Sequence, residues 1–222
     1  MTDYTTTRDR VETYFDRTAT SVWERLTSDA PVSRIRQTVR AGRDRMRAVM
    51  LSRLPDDLRG VRVLDAGCGA GQMTAELAAR GADVVAVDIS PSLVEIARKR
   101  LPEADRSRVT FASGDMLGAD HGRFDFVLAM DSLIYYTAPD IVAALETLGA
   151  RTRQAVVFTV APRTPFLMTF FTLGKAFPRA DRSPVMIPQA HAALTRAMQG
   201  RVTKIERVTS GFYISECLEY RP

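Results

Sequence analysis

The chain has 222 residues, 45% apolar and 26% charged, with 31 Lys and Arg against 26 Asp and Glu. A single domain of this length buries roughly 70–75% of the surface its unfolded chain exposes. This composition excludes a disordered chain, a disulfide scaffold and an integral membrane protein. The net charge of +5 suits an anionic partner, and it is concentrated: between Arg34 and Arg53 seven arginines stand against one acid, Asp44.

The polar start lacks the apolar core of a signal peptide, and with only Cys68 and Cys217 present a reducing cytosol is the expected compartment. Val11, Tyr14, Phe15, Thr18, Val22, Trp23 and Leu26 recur at three- and four-residue spacing, one amphipathic helix face. Pro31 ends it, and Ser33 caps a second helix that uses Ile35, Val39, Met46, Val49, Met50 and Leu54. From Val61 the rhythm alternates between strand and helix. Strands are expected at Val61–Ala66, Asp83–Asp88, Arg108–Ala112, Phe124–Met130 and Gln154–Val160, and helices at Gly71–Arg80, Ser92–Leu101 and Pro139–Ala150. Ser90 followed by Pro91 is an N-cap with proline at the first helical position. Thr203–Thr209 and Phe212–Tyr220 form a hairpin around Ser210 and Gly211. The expected fold is α/β: a Rossmann-like sheet of parallel strands with an antiparallel C-terminal strand and an N-terminal helical cap. The cap spans residues 1–56 and the sheet domain 57–222, with a lid insertion at about 162–190.

The strongest chemical signal is the run from Val63 to Gln72. A buried strand delivers Gly67, Gly69 and Gly71 into a helix, where glycine lets a ligand approach the backbone and the helix N-terminus offers free N–H groups. The next strand ends at Asp88, whose carboxylate suits the two hydroxyls of a ribose. Gln72 stands where a dinucleotide fingerprint wants glycine, and Asp65 beside the loop repels a pyrophosphate but favours a cation. Asp115 and Met116, after the third strand, suit an adenine amino group and ring. Ile89, just after strand two, and Met130, the last residue of strand four, complete the set. The alternative is a turn whose glycines only permit close packing, with Asp65 and Asp88 as helix caps. Cys68 has no base beside it and reads as a small loop residue.

The pattern resembles the class I S-adenosylmethionine-dependent methyltransferases. Outside the loop, Tyr14 to Thr18 with Val22 to Leu26, Ile35 and Arg36 with Val39 to Arg43, Asp131 to Tyr136, and Gly174 to Arg179 with Arg182 to Pro184 resemble the magnesium-protoporphyrin IX O-methyltransferases. That resemblance implies esterification of one propionate of the macrocycle on the way to bacteriochlorophyll or chlorophyll. It also implies the magnesium chelatase large subunit as a partner. The pattern has histidine where Tyr135 stands and tyrosine where Thr27 stands, so neither is assigned a catalytic role.

Independently, the apolar run Phe166 to Phe171, followed by Phe177, Met186 and Ile187, suits a lid over a flat greasy substrate. Arg163, Arg179 and Arg182 flank it as forks for carboxylates. Tyr14, Phe15, Trp23, Tyr135, Phe170 and Phe177 are the remaining substrate candidates, with core packing as the alternative for each. A propionate is already anionic at neutral pH, so no general base is required. No protein metal site is expected, and His121 and His191 are at most axial ligands to the substrate's magnesium. A different methyl acceptor, such as a phenol or a small acid, remains open. The arginine-rich helix lacks aromatics for base stacking, so nucleic acid is not the expected partner. Contact with an anionic membrane face, the photosynthetic membrane in this reading, is a better use of it.

Overall fold

The computed structural model describes residues 4–16, 33–165, 167–169, 172 and 184–222. Helix α1 spans Tyr4–Tyr14 and α2 Arg34–Leu51. The sheet domain then runs β1 (Arg62–Ala66), α3 (Gln72–Ala79), β2 (Asp83–Asp88), α4 (Pro91–Arg100), β3 (Val109–Ser113), β4 (Phe124–Ala129), α5 (Ala138–Gly149) and β5 (Thr152–Val160). It closes with α6 (His191–Ala197), β6 (Val202–Ser210) and β7 (Tyr213–Tyr220). The seven strands lie in the order β3-β2-β1-β4-β5-β7-β6. The first five are parallel, and β7 pairs antiparallel with both β5 and β6. This is the expected α/β architecture, with element bounds moved by one or two residues.

Period-two alternation sorts each strand between two cores. Leu64 and Ala66 join the cluster under α5, with Val127, Leu145, Val156 and Leu218. Val63 joins the cluster under α2 and α3, with Met46, Met50, Leu77, Val84 and Cys217. Three helix starts carry a local cause: Ser33 Oγ accepts from Arg36 N, Ser90 Oγ from Leu93 N, and Thr137 with Asp140 forms a reciprocal capping box.

Helix α2 packs across β6 and β7, with Met46, Met50 and Leu51 fully buried. It comes close because residue 42 is glycine: a Cβ there would lie 2.6 Å from the Tyr213 ring. The region read as one cap is therefore two things. Helix α2 is a layer of the sheet domain, and α1 lies over the C-terminal ends of the strands. Ile35, expected in the core, is 56% exposed, because α2 buries its second half and leaves its first turn beyond the sheet edge. The expected face from Thr18 to Leu26 lies outside the described residues. Among the described residues, no helix is long and apolar enough to cross a membrane.

Candidate active site

Strand order reverses direction between β1 and β4, and a crevice at that point is where open parallel sheets bind ligands. The loops that leave β1, β2, β3 and β4 line a crevice there with about 830 Å³ of empty space, part of it open to solvent, and α1 roofs it. Its floor is the glycine loop. Gly67, Gly69 and Gly71 have φ of +87°, +52° and +85°, the left-handed region in which a side chain is strained. A Cβ on Gly67 would meet Ser132 Cβ at 2.5 Å, and one on Gly71 would meet Ala97 Cβ at 2.8 Å. Gly67 thus shapes the cavity, while Gly71 seats α3 against α4.

Asp88 lines the cavity with both oxygens anchored: Oδ2 accepts from Gly69 N at 2.8 Å and Oδ1 from Ser90 N at 2.9 Å. Burial pushes its pKa up, against the pull of those backbone amides. Each oxygen keeps a lone pair for a ligand hydroxyl. At the β3 end, Asp115 Oδ1 accepts from Leu117 N at 2.9 Å. Arg151 fastens the same turn by donating to the carbonyls of Met116 and Gly118.

Helix α1 reaches the site along one stripe, Tyr4, Arg8, Val11 and Phe15, all of which line the cavity. Tyr4 donates to Asp115 Oδ1 at 2.8 Å and stacks on Tyr136 at 4.8 Å between ring centroids. Arg8 lies 3.3 Å from Asp115 Oδ2. At the far end of the stripe, Asp16 Oδ1 accepts from Ser90 Oγ at 3.0 Å.

The opposite wall is built from four elements around Asp131. This residue has φ of +56°, an uncommon conformation for a side chain other than glycine. Its carboxylate is held by Arg43, by Tyr213 Oη at 3.1 Å and by Thr159 Oγ1 at 3.2 Å, while its own N–H donates to Thr159 Oγ1 at 2.7 Å. Next to it, Ser132 Oγ is buried against the cavity with no hydrogen-bond partner, and Arg43 also lines the space. Burial raises the pKa of the Tyr135, Tyr136 and Tyr213 phenols, so all three stay protonated at neutral pH.

The family model for the C-terminus of magnesium-protoporphyrin IX methyltransferases matches residues 129–222, and a general methyltransferase domain model matches residues 63–154. The chain is 65% identical over 221 residues to the magnesium-protoporphyrin O-methyltransferase of Rhodobacter capsulatus, covering 99% of both chains. It belongs to the magnesium-protoporphyrin O-methyltransferase family. The relative from Synechocystis is 28% identical over 99% of this chain. The Synechocystis crystal structure with bound S-adenosylhomocysteine superposes with a TM-score of 0.78 at 27% identity, covering 99% of this chain and all of that one.

Of the residues read as cofactor contacts, Gly67, Gly69, Asp88, Ile89, Asp115, Met116 and Met130 line this cavity, and Asp65 and Gly71 do not. Asp65 follows the face of Val63, so its carboxylate points into the α3 side of the sheet, where it is 1% exposed and accepts from Thr74 Oγ1 at 2.5 Å. Desolvation lifts its pKa to about 7. The expectation that Asp65 meets the cofactor's positive charge is therefore corrected, and the carboxylates that do face the cavity are Asp88, Asp115 and Asp131.

Among substrate candidates, Phe15 and Tyr135 line the cavity, with their rings 6.2 Å apart in edge contact. Tyr14 stands behind them, edge-on to Phe15. The Arg163 side chain is exposed, while its N–H bonds Gln189 O. Trp23, Thr27, Phe170, Phe177, Arg179 and Arg182 lie outside the described residues. Neither His121, which bonds Asp115 O, nor His191, beside Glu216, lines the cavity. The reading of the sequence missed Tyr4, Arg8, Arg43, Asp131 and Ser132. The first two were legible, since Tyr4, Arg8, Val11 and Phe15 fall on one helical face. Arg43 was hidden among seven arginines that sequence alone does not tell apart.

Proposed function

We infer that this chain transfers a methyl group from S-adenosylmethionine to a propionate carboxylate of magnesium protoporphyrin IX, giving the monomethyl ester of (bacterio)chlorophyll biosynthesis. The observation that carries the reading is 65% identity over 99% of both chains to an enzyme of that name. The cavity supports it independently. Asp88 offers both oxygens to ribose hydroxyls and Asp115 offers an acceptor to an adenine amino group. The unpaired Ser132 hydroxyl and the Arg43 guanidinium give the other end donors for an amino-acid carboxylate. When bound, the cofactor supplies an electrophilic sulfonium methyl.

The protein's own work is to hold and to dry. A propionate ionises near pH 4.3 by analogy with glutamate, so it arrives as the nucleophile and no side chain has to take a proton from it. The protonated phenol of Tyr135 is a donor toward an anion in the cavity, not a base. Val11, Phe15, Ile89, Leu93, Met116 and Met130 give the walls an apolar surface that keeps water from the reacting pair. Holding two reactants aligned supplies on the order of 7–11 kcal/mol of a bimolecular barrier. That is the term this cavity is built to provide.

Arg163, Arg179 and Arg182 remain the proposed forks for the propionates, and the magnesium chelatase large subunit the proposed supplier of substrate. The testing experiment incubates the protein with labelled S-adenosylmethionine and magnesium protoporphyrin, and the expected product is a labelled monomethyl ester. A phenolic acceptor methylated in preference to the porphyrin would overturn the reading. Binding of the purified chelatase subunit, measured by calorimetry, tests the partner.

A further inference from the structure

The chain leaves the sheet at the end of β5 and comes back to it through residues 184–190, and this returning limb is tied at two levels. Against the end of β5, Gln189 N donates to Ala161 O at 2.8 Å and Arg163 N donates to Gln189 O at 2.9 Å, with Pro162 and Gln189 paired as an isolated parallel bridge. Against the loop that follows β4, Ile187 N donates to Ile134 O at 2.8 Å, and the Gln189 side chain donates through Nε2 to Tyr136 O at 2.9 Å. Gln189 is buried, a place where an amide side chain is kept only by its hydrogen bonds.

The two bonds to the loop bracket one residue. The carbonyl just before Tyr135 and the carbonyl just after it are both held, and Tyr135 itself lines the cavity with its ring edge-on to Phe15. Within the loop the fastening is weaker, since Tyr136 N reaches Leu133 O only at 3.3 Å. A buried carbonyl left without a donor costs as much as a lost hydrogen bond, so the Gln189 amide decides where Tyr136 O settles. The clamp does not extend to the cofactor end. Among the described residues, the hydrogen bonds of Ile187 and Gln189 go to Ala161, Arg163, Ile134 and Tyr136, none of them to the glycine loop or to the turns of Asp88 and Asp115.

We propose that Gln189 is a positioning residue for methyl transfer, which holds Tyr136 O and thereby fixes Tyr135 with its hydroxyl toward the acceptor carboxylate. The inference rests on the reading of Tyr135 as a donor toward the substrate's propionate. Gln189 acts through the backbone, because neither it nor Ile187 lines the cavity. A misplacement of about 1 Å at the reacting pair forfeits much of what alignment supplies, even when its cause lies far from the chemistry. The returning limb is suited to prevent that drift, since it is braced on β5 by backbone bonds before it reaches the loop.

The test is a double-mutant cycle between Gln189→Met, which keeps the length and removes the donor, and Tyr135→Phe, which keeps the ring and removes the hydroxyl. Each single variant is expected to lower kcat/KM for magnesium protoporphyrin on the order of fivefold or more, while calorimetry shows S-adenosylhomocysteine affinity kept. The double variant is expected to lose little beyond Tyr135→Phe alone, because no hydroxyl is left to aim. Gln189→Leu runs through the same cycle, so that a folding defect in one donorless variant does not decide the result. Losses that multiply, or S-adenosylhomocysteine affinity that falls in step with activity, would mean that Gln189 only stitches the fold, and the proposal is overturned. A silent Tyr135→Phe overturns it too, since there is then nothing to position. Failure of the porphyrin reading itself shows in the unsubstituted protein, as no methyl ester at all, and takes the proposal with it; the other failures show only in the variants.

Discussion

Asp65 shows how one step along a strand decides a side chain's role. The alternation that seats Leu64 and Ala66 under α5 sends Asp65 to the opposite face, where it is sealed with Thr74 beneath α3. An ionised carboxylate there lacks solvent, so its pKa rises to about 7, mainly through desolvation. The raised value means that folding favours the protonated form. The favourable contribution is complete below the unfolded pKa, near 3.9, and fades as pH climbs toward 7. Asp65→Asn keeps an oxygen for Thr74 and removes the charge. The variant is expected to be more stable than the original at pH 8, by about 2–4 kcal/mol, with the gap narrowing to about a third of that at pH 5 and closing only near pH 3.9. Denaturant titrations at both pH values measure it, and an equal gap at both would show that Asp65 carries no burial penalty. Asp131 is the converse case: its left-handed backbone turns the carboxylate to Arg43, Tyr213 and Thr159 rather than into packing. No pattern of apolar residues announces that turn, which is why the sequence showed Asp131 only within a family resemblance.

The glycine loop serves two helices and one cavity, and its glycines divide that work. Both Gly67 and Gly71 have left-handed backbones, so alanine at either costs about 1–2 kcal/mol before any contact is counted. Their Cβ contacts differ. Gly71→Ala drives into Ala97 of α4, away from the cavity, whereas Gly67→Ala drives into Ser132 in the cavity wall. The first variant is expected to lose about 2–3 kcal/mol of stability with ligand affinity largely kept. The second is expected to lose most S-adenosylhomocysteine binding as well as a similar amount of stability. Calorimetry and thermal melts on the same samples separate the two effects, and identical behaviour of both variants would refute the division. Several elements were readable because each has a local cause: a β-branched run for β2, Ser90 before Pro91 for α4, Thr137 with Asp140 for α5. The register of α2 was not, since which of its faces meets the sheet depends on Gly42 admitting the Tyr213 ring from a strand some 170 residues later.

At the scale of the molecule, the reversal of strand order sets the cavity and α1 covers it, so a bound ligand touches both the sheet loops and α1. Helix α1 buries Thr7 and Val11, and it is tied down both by aromatic contacts, Tyr4 on Tyr136 and Phe15 on Tyr135, and by polar ones, Tyr4 and Arg8 on Asp115 and Asp16 on Ser90. Those anchors sit on the turns that close the cavity, so a ligand filling the space adds its own contacts to the stripe of Tyr4, Arg8, Val11 and Phe15. A ligand that binds only the folded chain at a hundred times its dissociation constant adds about 2.7 kcal/mol of stability. For a chain of this length that corresponds to a rise in Tm of roughly 5–10 °C. S-adenosylhomocysteine is expected to produce that rise, and NADH or ATP to leave Tm unchanged, because the carboxylates of Asp88, Asp115 and Asp131 repel phosphates. Thermal melts with each ligand decide it. A rise with NADH or ATP and none with S-adenosylhomocysteine would mean that the cavity takes a phosphate-bearing nucleotide, and the methyl-transfer account of this chain's geometry would fail with it.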